Sequence, residues 1–317
     1  MLVLGLNLGV DRSLRLERLL PGYVQRPRSV EVTAGGKAVN VCRASRRAYG
    51  AEPRLVANLP GRTGSLLGEM LAAEGHDVRG VATAGEARSQ LILIEDDLRI
   101  TVLNEPGPPL SLADRDRLFA AFRDELGGHR VAAASGSLPP AAPDDTYAEV
   151  VRLARAGGVI AVIDGAREAL KACLAAEPDV VTPNLAEAVA VLHGRGEEAV
   201  EVDGAHARSA ARSAAERLLD AGARAALVTV GRHGVAGADR GGAFWIAAPP
   251  VTEVNPIGAG DAFVGGLAVA LERGSDLRTA ALCAVATGSA SVAHPLAGGV
   301  DPALVEKLAT RLVLEHG

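Results

Sequence analysis

Short apolar runs alternate with amphipathic stretches along most of the chain. Residues 55–59, 131–134, 159–164 and 225–230 are nearly all apolar, as strands covered on both faces tend to be. Between them, residues 37–49, 112–126, 147–156 and 207–219 carry apolar positions at helical spacing. The first residues, 2–8, also read as a strand. Strand–helix alternation of this kind predicts a mostly parallel sheet with helices on both faces, an α/β/α sandwich.

Two segments break the rhythm. Residues 14–33 and 89–103 lack helical periodicity, and the second holds two strand-like runs, Leu91 to Ile94 and Ile100 to Leu103. Asp96 and Asp97 between those runs mark a hairpin turn. Strand-only insertions in an α/β chain predict a small separate sheet, and a sheet lying over a site excludes water from it. The expected organisation is a single domain over 1–317, with a lid from about 12–34 and 88–105 inserted in the core. Glu105 to Pro109, rich in proline, returns the chain to the core.

Composition narrows the partners. Of the residues, 48% are hydrophobic, enough for a large core in 317 residues. The formal net charge is −5, so there is no basic excess to hold a nucleic acid. Cys42, Cys173 and Cys283 form no Cys-x-x-Cys pair, which argues against a disulfide framework and fits a cytoplasmic setting. Residues 279–300 carry no Asp, Glu, Lys or Arg, yet His294, Pro295 and several hydroxyl residues interrupt them. A buried helix running into a loop explains that stretch better than a membrane span. Only Lys37, Lys171 and Lys307 are lysines among 33 basic residues; Lys37 stands in a glycine-rich loop, a hint that an ammonium is wanted there.

Asn255-Pro-Ile-Gly-Ala-Gly-Asp261 precedes a helical run. Proline and two glycines there predict a helix starting near Ala259, whose free amides and positive dipole end make an anion site. Asp261 in the first turn either stabilises that terminus or takes a proton from an attacking hydroxyl. In the second case Gly258, Ala259 and Gly260 stabilise charge on a transferred phosphoryl group.

Gly258-Ala-Gly-Asp261 before a late helix resembles a signature of the ribokinase-like, or PfkB, sugar kinases. Ala34-Gly-Gly-Lys-Ala-Val-Asn-Val41 resembles the second signature of that family. Asn7-Leu-Gly-Val-Asp11, Asn104 to Pro108, Ser135-Gly-Ser-Leu-Pro-Pro140, Pro183-Asn-x-x-Glu187 and Thr229 to Gly234 are similar to motifs of its phosphosugar branch. The matches follow the family's order and span nearly the whole chain. The resemblance implies a ribokinase-like three-layer fold with a small β-sheet lid, often clasped in a homodimer. It also implies ATP and Mg²⁺ as cofactors and a phosphosugar as acceptor, with fructose 1-phosphate first and tagatose 6-phosphate or fructose 6-phosphate next.

By the same resemblance Asp11, Gly35, Gly36, Lys37 and Asn40 line the sugar site, and Arg88 receives the substrate's own phosphate, with Lys37 and Arg26 assisting. Arg26 is otherwise a solvated lid residue. Ser137 either touches the sugar or caps a turn. Asn184 and Glu187 serve magnesium and phosphate, Glu187 through water, though the pair also suits a capping box. Thr229, Gly231, Gly234 and Asn255 belong to the nucleotide side, and the helix around Ser289 and Ser291 closes the adenine pocket.

Some positions depart from the pattern. Leu8-Gly9 replaces Pro-Ala, Pro256 replaces Thr, Ala262 replaces Ser, and Ala38 replaces a glycine, which puts a methyl group near the sugar site. Other readings fit less well. The chain lacks Gly-x-x-x-x-Gly-Lys-Ser/Thr, a Gly-x-Gly-x-x-Gly after the first strand, and Gly-x-Ser-x-Gly. A sugar-binding pseudokinase keeps the glycines but loses the base. A free sugar or nucleoside fits less well while Arg88 and Lys37 stand together.

Overall fold

The computed structural model describes residues 1–97, 99–165, 167–194 and 204–316. In β1 (Leu2–Gly5) successive residues enter two different cores: Leu2 and Leu4 join one buried cluster, Val3 the other. The same division runs through β8 (Val131–Ser135) and β9 (Ile160–Asp164). Ala132, Ala134, Ala161 and Ile163 face one way, while Val131, Ala133 and Val162 face the other. Side chains alternate faces along a strand, so strands apolar at every position require two covers.

The covers are two helical layers. On the first face lie α3 (Leu112–Glu125), α4 (Thr146–Ala156), α5 (Arg167–Leu174), α6 (Leu185–His193) and α7 (Gly204–Asp220). On the second lie α1 (Lys37–Tyr49), α2 (Gly61–Ala73), α8 (Ala259–Glu272) and α9 (Leu277–Val292). The last helix, α10 (Pro302–Ala309), buries Val305 and Leu308 in a third cluster beside α8 and α9. Residues 279–300 are thus the body of α9 and the loop after it, and no described helix is long and apolar enough to cross a membrane.

Between the layers the sheet runs in the order β14 (Leu314–His316), β13 (Gly242–Ala247), β12 (Gly234–Asp239), β11 (Ala225–Thr229), β10 (Val180–Val181), β9, β8, β1, β4 (Arg54–Pro60), β5 (Asp77–Thr83). From β5 to β11 the pairs are parallel; β11 to β14 are antiparallel. The opening strand ends at Gly5, which leaves Asn7 beyond its carboxyl end. That edge also carries Ser135, Asp164, Asn184 and Thr229, following or ending β8, β9, β10 and β11. In open α/β sheets this is where ligands bind.

A second sheet holds β3 (Ser29–Gly35), β2 (Gly9–Leu16), β6 (Arg88–Glu95) and β7 (Ile100–Asn104). Only the β2–β6 pair is parallel. Asp96 and Asp97 form the turn before β7. The strands reach closer to the core than the sequence suggests. Gly9 pairs with both Arg88 and Gly35, so Asp11 is itself a residue of this sheet.

Candidate active site

Two helix starts meet at the centre. Gly36, at φ 106°, leads into α1, and Gly258, at φ 84°, is the N-cap of α8. Both values lie where glycine is favoured. A side chain at Gly258 is also barred by contact, since its Cβ would lie 2.7 Å from the Gly298 nitrogen. Glycines bring α8 against its neighbours: a Cβ at Gly265 would lie 2.9 Å from the Val41 carbonyl, and one at Gly266 2.5 Å from Thr287 Oγ1. This close approach places Asn40 Nδ2 2.8 Å from Asp261 Oδ2, to which it donates.

At the start of α8 the Ala259 amide turns back to the Pro256 carbonyl at 3.3 Å, and the Ala262 amide bonds the Gly258 carbonyl at 2.8 Å. The intervening amides of Gly260 and Asp261 have no acceptor among the described residues. Space beside Gly260 is open. Free first-turn amides with room in front of them suit an anion. Burial pushes the Asp261 carboxyl up to about 7; Lys37 opposes the rise, Asp164 adds to it, and the Asn40 bond opposes it.

Lys37 opens α1 and points at acids. Its Nζ donates to Asp164 Oδ2 at 3.2 Å and lies 4.0 Å from Glu187 Oε1. Asp164, chiefly, holds the ammonium above the usual lysine range, against burial and with help from Asp261 and Glu187. Asp164 also accepts from Ser135 Oγ at 2.7 Å. Sequence reasoning missed it, although a lone acid closing an apolar strand at the carboxyl edge was a usable signal. Asn184 and Glu187 do form a capping box at the start of α6: Asn184 Oδ1 accepts the Glu187 amide at 2.9 Å, and Glu187 Oε2 accepts the Asn184 amide at 2.8 Å.

Across from this cluster lies the polar side of the small sheet. Asp11 is buried, and its Oδ1 finds no hydrogen-bond partner. It rests directly on Gly35, where a Cβ would sit 2.0 Å from Asp11 Oδ1. Burial raises the Asp11 carboxyl to about 6, with Arg43 and Arg88 pulling it down. Arg88, first in β6, donates through Nε to the Asn7 carbonyl at 2.9 Å. Asn7 in turn donates to the Pro106 carbonyl at 3.1 Å and to Ser137 Oγ at 3.2 Å. Asn7 thereby gathers three sequence-designated segments and is a second residue the candidate set lacked. Arg26 is exposed in the β2–β3 loop and is bonded to none of these residues. Ala38, the residue after Lys37, is fully buried, and its methyl belongs to the core cluster on the second face together with Leu8 and Ala34.

On the other side of α8 a cavity of about 560 Å³ opens between β11, β12 and α9. Thr229, Gly231, Gly234, Gly260 and Ser289 line it, with Phe263, Val285 and Val292 as its apolar wall. Ser291 does not; its hydroxyl is buried without a partner. Asn255 fastens the loop instead of facing the cavity, since its Nδ2 donates to the Pro295 carbonyl at 2.9 Å and its Oδ1 accepts the Ile257 amide at 3.0 Å.

Residues 2–303 match the family model described as pfkB family carbohydrate kinase. A 1-phosphofructokinase of Rhodobacter capsulatus is 34% identical over 285 residues, covering 89% of this chain and 86% of that protein. A 1-phosphofructokinase of Xanthomonas campestris pv. campestris is 30% identical over 272 residues, covering 84% and 82%. Among solved structures, phosphofructokinase-2 from Escherichia coli superposes with a TM-score of 0.87 at 24% identity, covering 98% of both chains. With the family model and the relatives in agreement, the chain belongs to the pfkB family of carbohydrate kinases, enzymes that transfer phosphate from ATP to a sugar.

Proposed function

We propose that the enzyme phosphorylates a phosphorylated ketohexose, fructose 1-phosphate, at its C6 hydroxyl, giving fructose 1,6-bisphosphate. The observation that carries the reading is the convergence on one point of a buried aspartate, an ammonium and the free amides of a helix start. Support for the acceptor comes from the two relatives named 1-phosphofructokinase and from Arg88 beside the sugar-side carboxylate Asp11.

In this reading ATP occupies the cavity between β11, β12 and α9, with its terminal phosphate toward the start of α8. Asp261 Oδ takes the proton of the acceptor hydroxyl as the hydroxyl oxygen bonds the γ-phosphorus and the bond to the ADP oxygen breaks. The Gly260 and Asp261 amides stabilise the charge spread over the transferred group. Lys37 does the same in this reading; its place beside Asp164 and Glu187 supports a role at the transferred phosphate more than at the substrate's own. That second phosphate falls to Arg88, whose guanidinium pairs with phosphate in a fork.

Asp164 and Glu187 are hard oxygen donors, and no group of three or more metal-ligating side chains occurs among the described residues. This donor set fits Mg²⁺, which keeps several waters and binds largely through nucleotide phosphates. Glu187 would hold it through water, and the ion would supply charge neutralisation at the phosphates.

The small sheet has two unlike faces. Asp11, Thr33, Gln90 and Asn104 form one cross-strand row, while Arg12, Val32, Leu91 and Leu103 form the next row, on the opposite face. Val30, Val32 and Leu103 are 47%, 43% and 56% exposed. Exposed apolar surface on a small sheet favours pairing, and a homodimer joined through these faces is expected. Light scattering showing a monomer at micromolar concentration would exclude it.

Coupled-assay rates on fructose 1-phosphate, tagatose 6-phosphate, fructose 6-phosphate and free fructose test the acceptor. Comparable kcat/KM for fructose and fructose 1-phosphate would remove the case for a phosphate subsite. Arg88→Ala is expected to raise KM for the phosphosugar by about 10–100-fold; a loss confined to kcat contradicts its role.

A further inference from the structure

Behind Asn40, one turn along α1, a guanidinium is buried where neither the acceptor nor the nucleotide is placed. Arg43 is 4% exposed. Its Nη1 donates to Asn40 Oδ1 and to the Ala297 carbonyl, both at 2.9 Å. Its Nη2 donates to the Ala34 carbonyl at 2.9 Å and to Glu74 Oε2 at 2.8 Å, and its Nε donates to Glu74 Oε2 at 3.1 Å. Glu74 follows the end of α2 and grips the guanidinium from the side away from the site. The mechanism above uses none of these contacts.

An asparagine amide has a donor end and an acceptor end, and its neighbours decide which way it faces. A guanidinium donates only. With Arg43 Nη1 on Asn40 Oδ1, the acceptor end is committed, so Nδ2 must face Asp261 Oδ2. Turned over, the amide would set its oxygen against the carboxylate and favour the protonated acid. Arg43 also clamps the loop behind the anion site. The residue after Ala297, Gly298, packs so closely that a Cβ there would lie 2.7 Å from the Asn40 Cα, and its nitrogen backs Gly258.

We propose that Arg43 is a positioning residue for phosphoryl transfer, fixing the Asn40 amide and the 297–298 backbone so that a donor faces the base, with Glu74 holding the guanidinium in place. The inference rests on Asp261 as the base. Arg43 itself touches no reacting atom. Because it also draws down the Asp11 carboxyl, its loss weakens sugar binding as well, and kcat must be read at saturating acceptor. The other charged groups acting on Asp261 are Lys37 from α1, Asp164 from β9 and Asp11 from β2; all stay in place in the variants below.

The test is the kcat–pH profile of Arg43→Met and Glu74→Gln, with ATP affinity measured by calorimetry and folding checked by circular dichroism. Arg43→Met is expected to lose about tenfold or more in kcat and to move the acid limb up by about one pH unit, because the ionised base loses its oriented donor. ATP affinity should stay within about twofold. Glu74→Gln should shift the same limb by less, and it carries the test alone if Arg43→Met does not fold. An unmoved limb in the folded variants, whether kcat is retained or falls together with ATP binding, overturns the inference. Asp261→Asn separates the two ideas: full turnover in that variant sinks the base assignment, whereas its inactivity beside unmoved limbs sinks the role of Arg43 alone.

Discussion

Asp261 and Asp11 are both buried aspartates, raised by burial to about 7 and about 6, yet they stand in opposite kinds of surroundings. Asp261 sits in the first turn of α8, with an Asn40 donor on one oxygen and the Lys37 ammonium nearby. Asp11 lies on a strand of the small sheet, over a glycine, with Oδ1 unpartnered. A buried acceptor without a donor costs about 1–3 kcal/mol, a cost that, under the proposed function, a substrate hydroxyl removes when it binds. The rigid junction of α1 and α8 therefore holds a group whose proton affinity is set by the protein. The small sheet holds one whose Oδ1 the protein leaves without a partner. Under the proposed function, chemistry belongs to the first region and recognition to the second.

The largest effect expected from this division is on turnover. Asp261→Asn keeps the shape and removes the proton acceptor, and kcat should fall by about 10²–10⁴, with ATP and sugar binding little changed. Next comes recognition. Asp11→Asn should raise KM for the phosphosugar by about 10–100-fold and leave kcat within about threefold. Gly35→Ala should act the same way, since its Cβ would displace the Asp11 carboxylate. Steady-state kinetics on the three variants decide the matter. If Asp11→Asn lowers kcat as deeply as Asp261→Asn, the two regions do not divide the work.

The α/β/α core was legible because burial on both faces dictates the residues: β8, β9 and β11 are apolar up to their last residue, β4 is apolar apart from Arg54 and Asn58, and α1 and α4 carry clear apolar stripes. The small sheet was legible from its missing helical period and from the turn at Asp96 and Asp97. Its inner boundary was not, because Gly9 joins a strand only through long-range pairing with Arg88 and Gly35. Arg43 stands in a segment with Arg46 and Arg47 and reads as another helix-surface arginine; only Glu74, Ala34 and Ala297, distant in sequence, give it a burial site. The site motifs at Asn40 and Asp261 were readable singly, but their 2.8 Å bond depends on the glycine contacts between α1 and α8.

A smaller effect sharpens the same contrast without any assay of activity. The Asp261 carboxyl moves from 3.8 in the unfolded chain to about 7 in the folded one. Below 3.8 both states hold the proton and the group has no influence on stability. As pH rises from about 4 to about 7 the unfolded chain ionises first, so the native state binds more protons and stability falls with pH. Above about 7 both states are ionised and the deficit is constant. Asn at this position has no such slope. Asp261→Asn should therefore match the wild type near pH 4 and gain on it progressively up to pH 7. The plateau difference is expected to be about 1 kcal/mol, below the ceiling of about 4 kcal/mol that the displacement sets, because relaxation of the surroundings recovers part of it. Urea midpoints for both proteins at pH 4.5, 6 and 8 measure the difference directly. A gap that stays flat across that range means that the folded Asp261 ionises like an ordinary carboxylate, and the contrast with Asp11 then rests on partners alone.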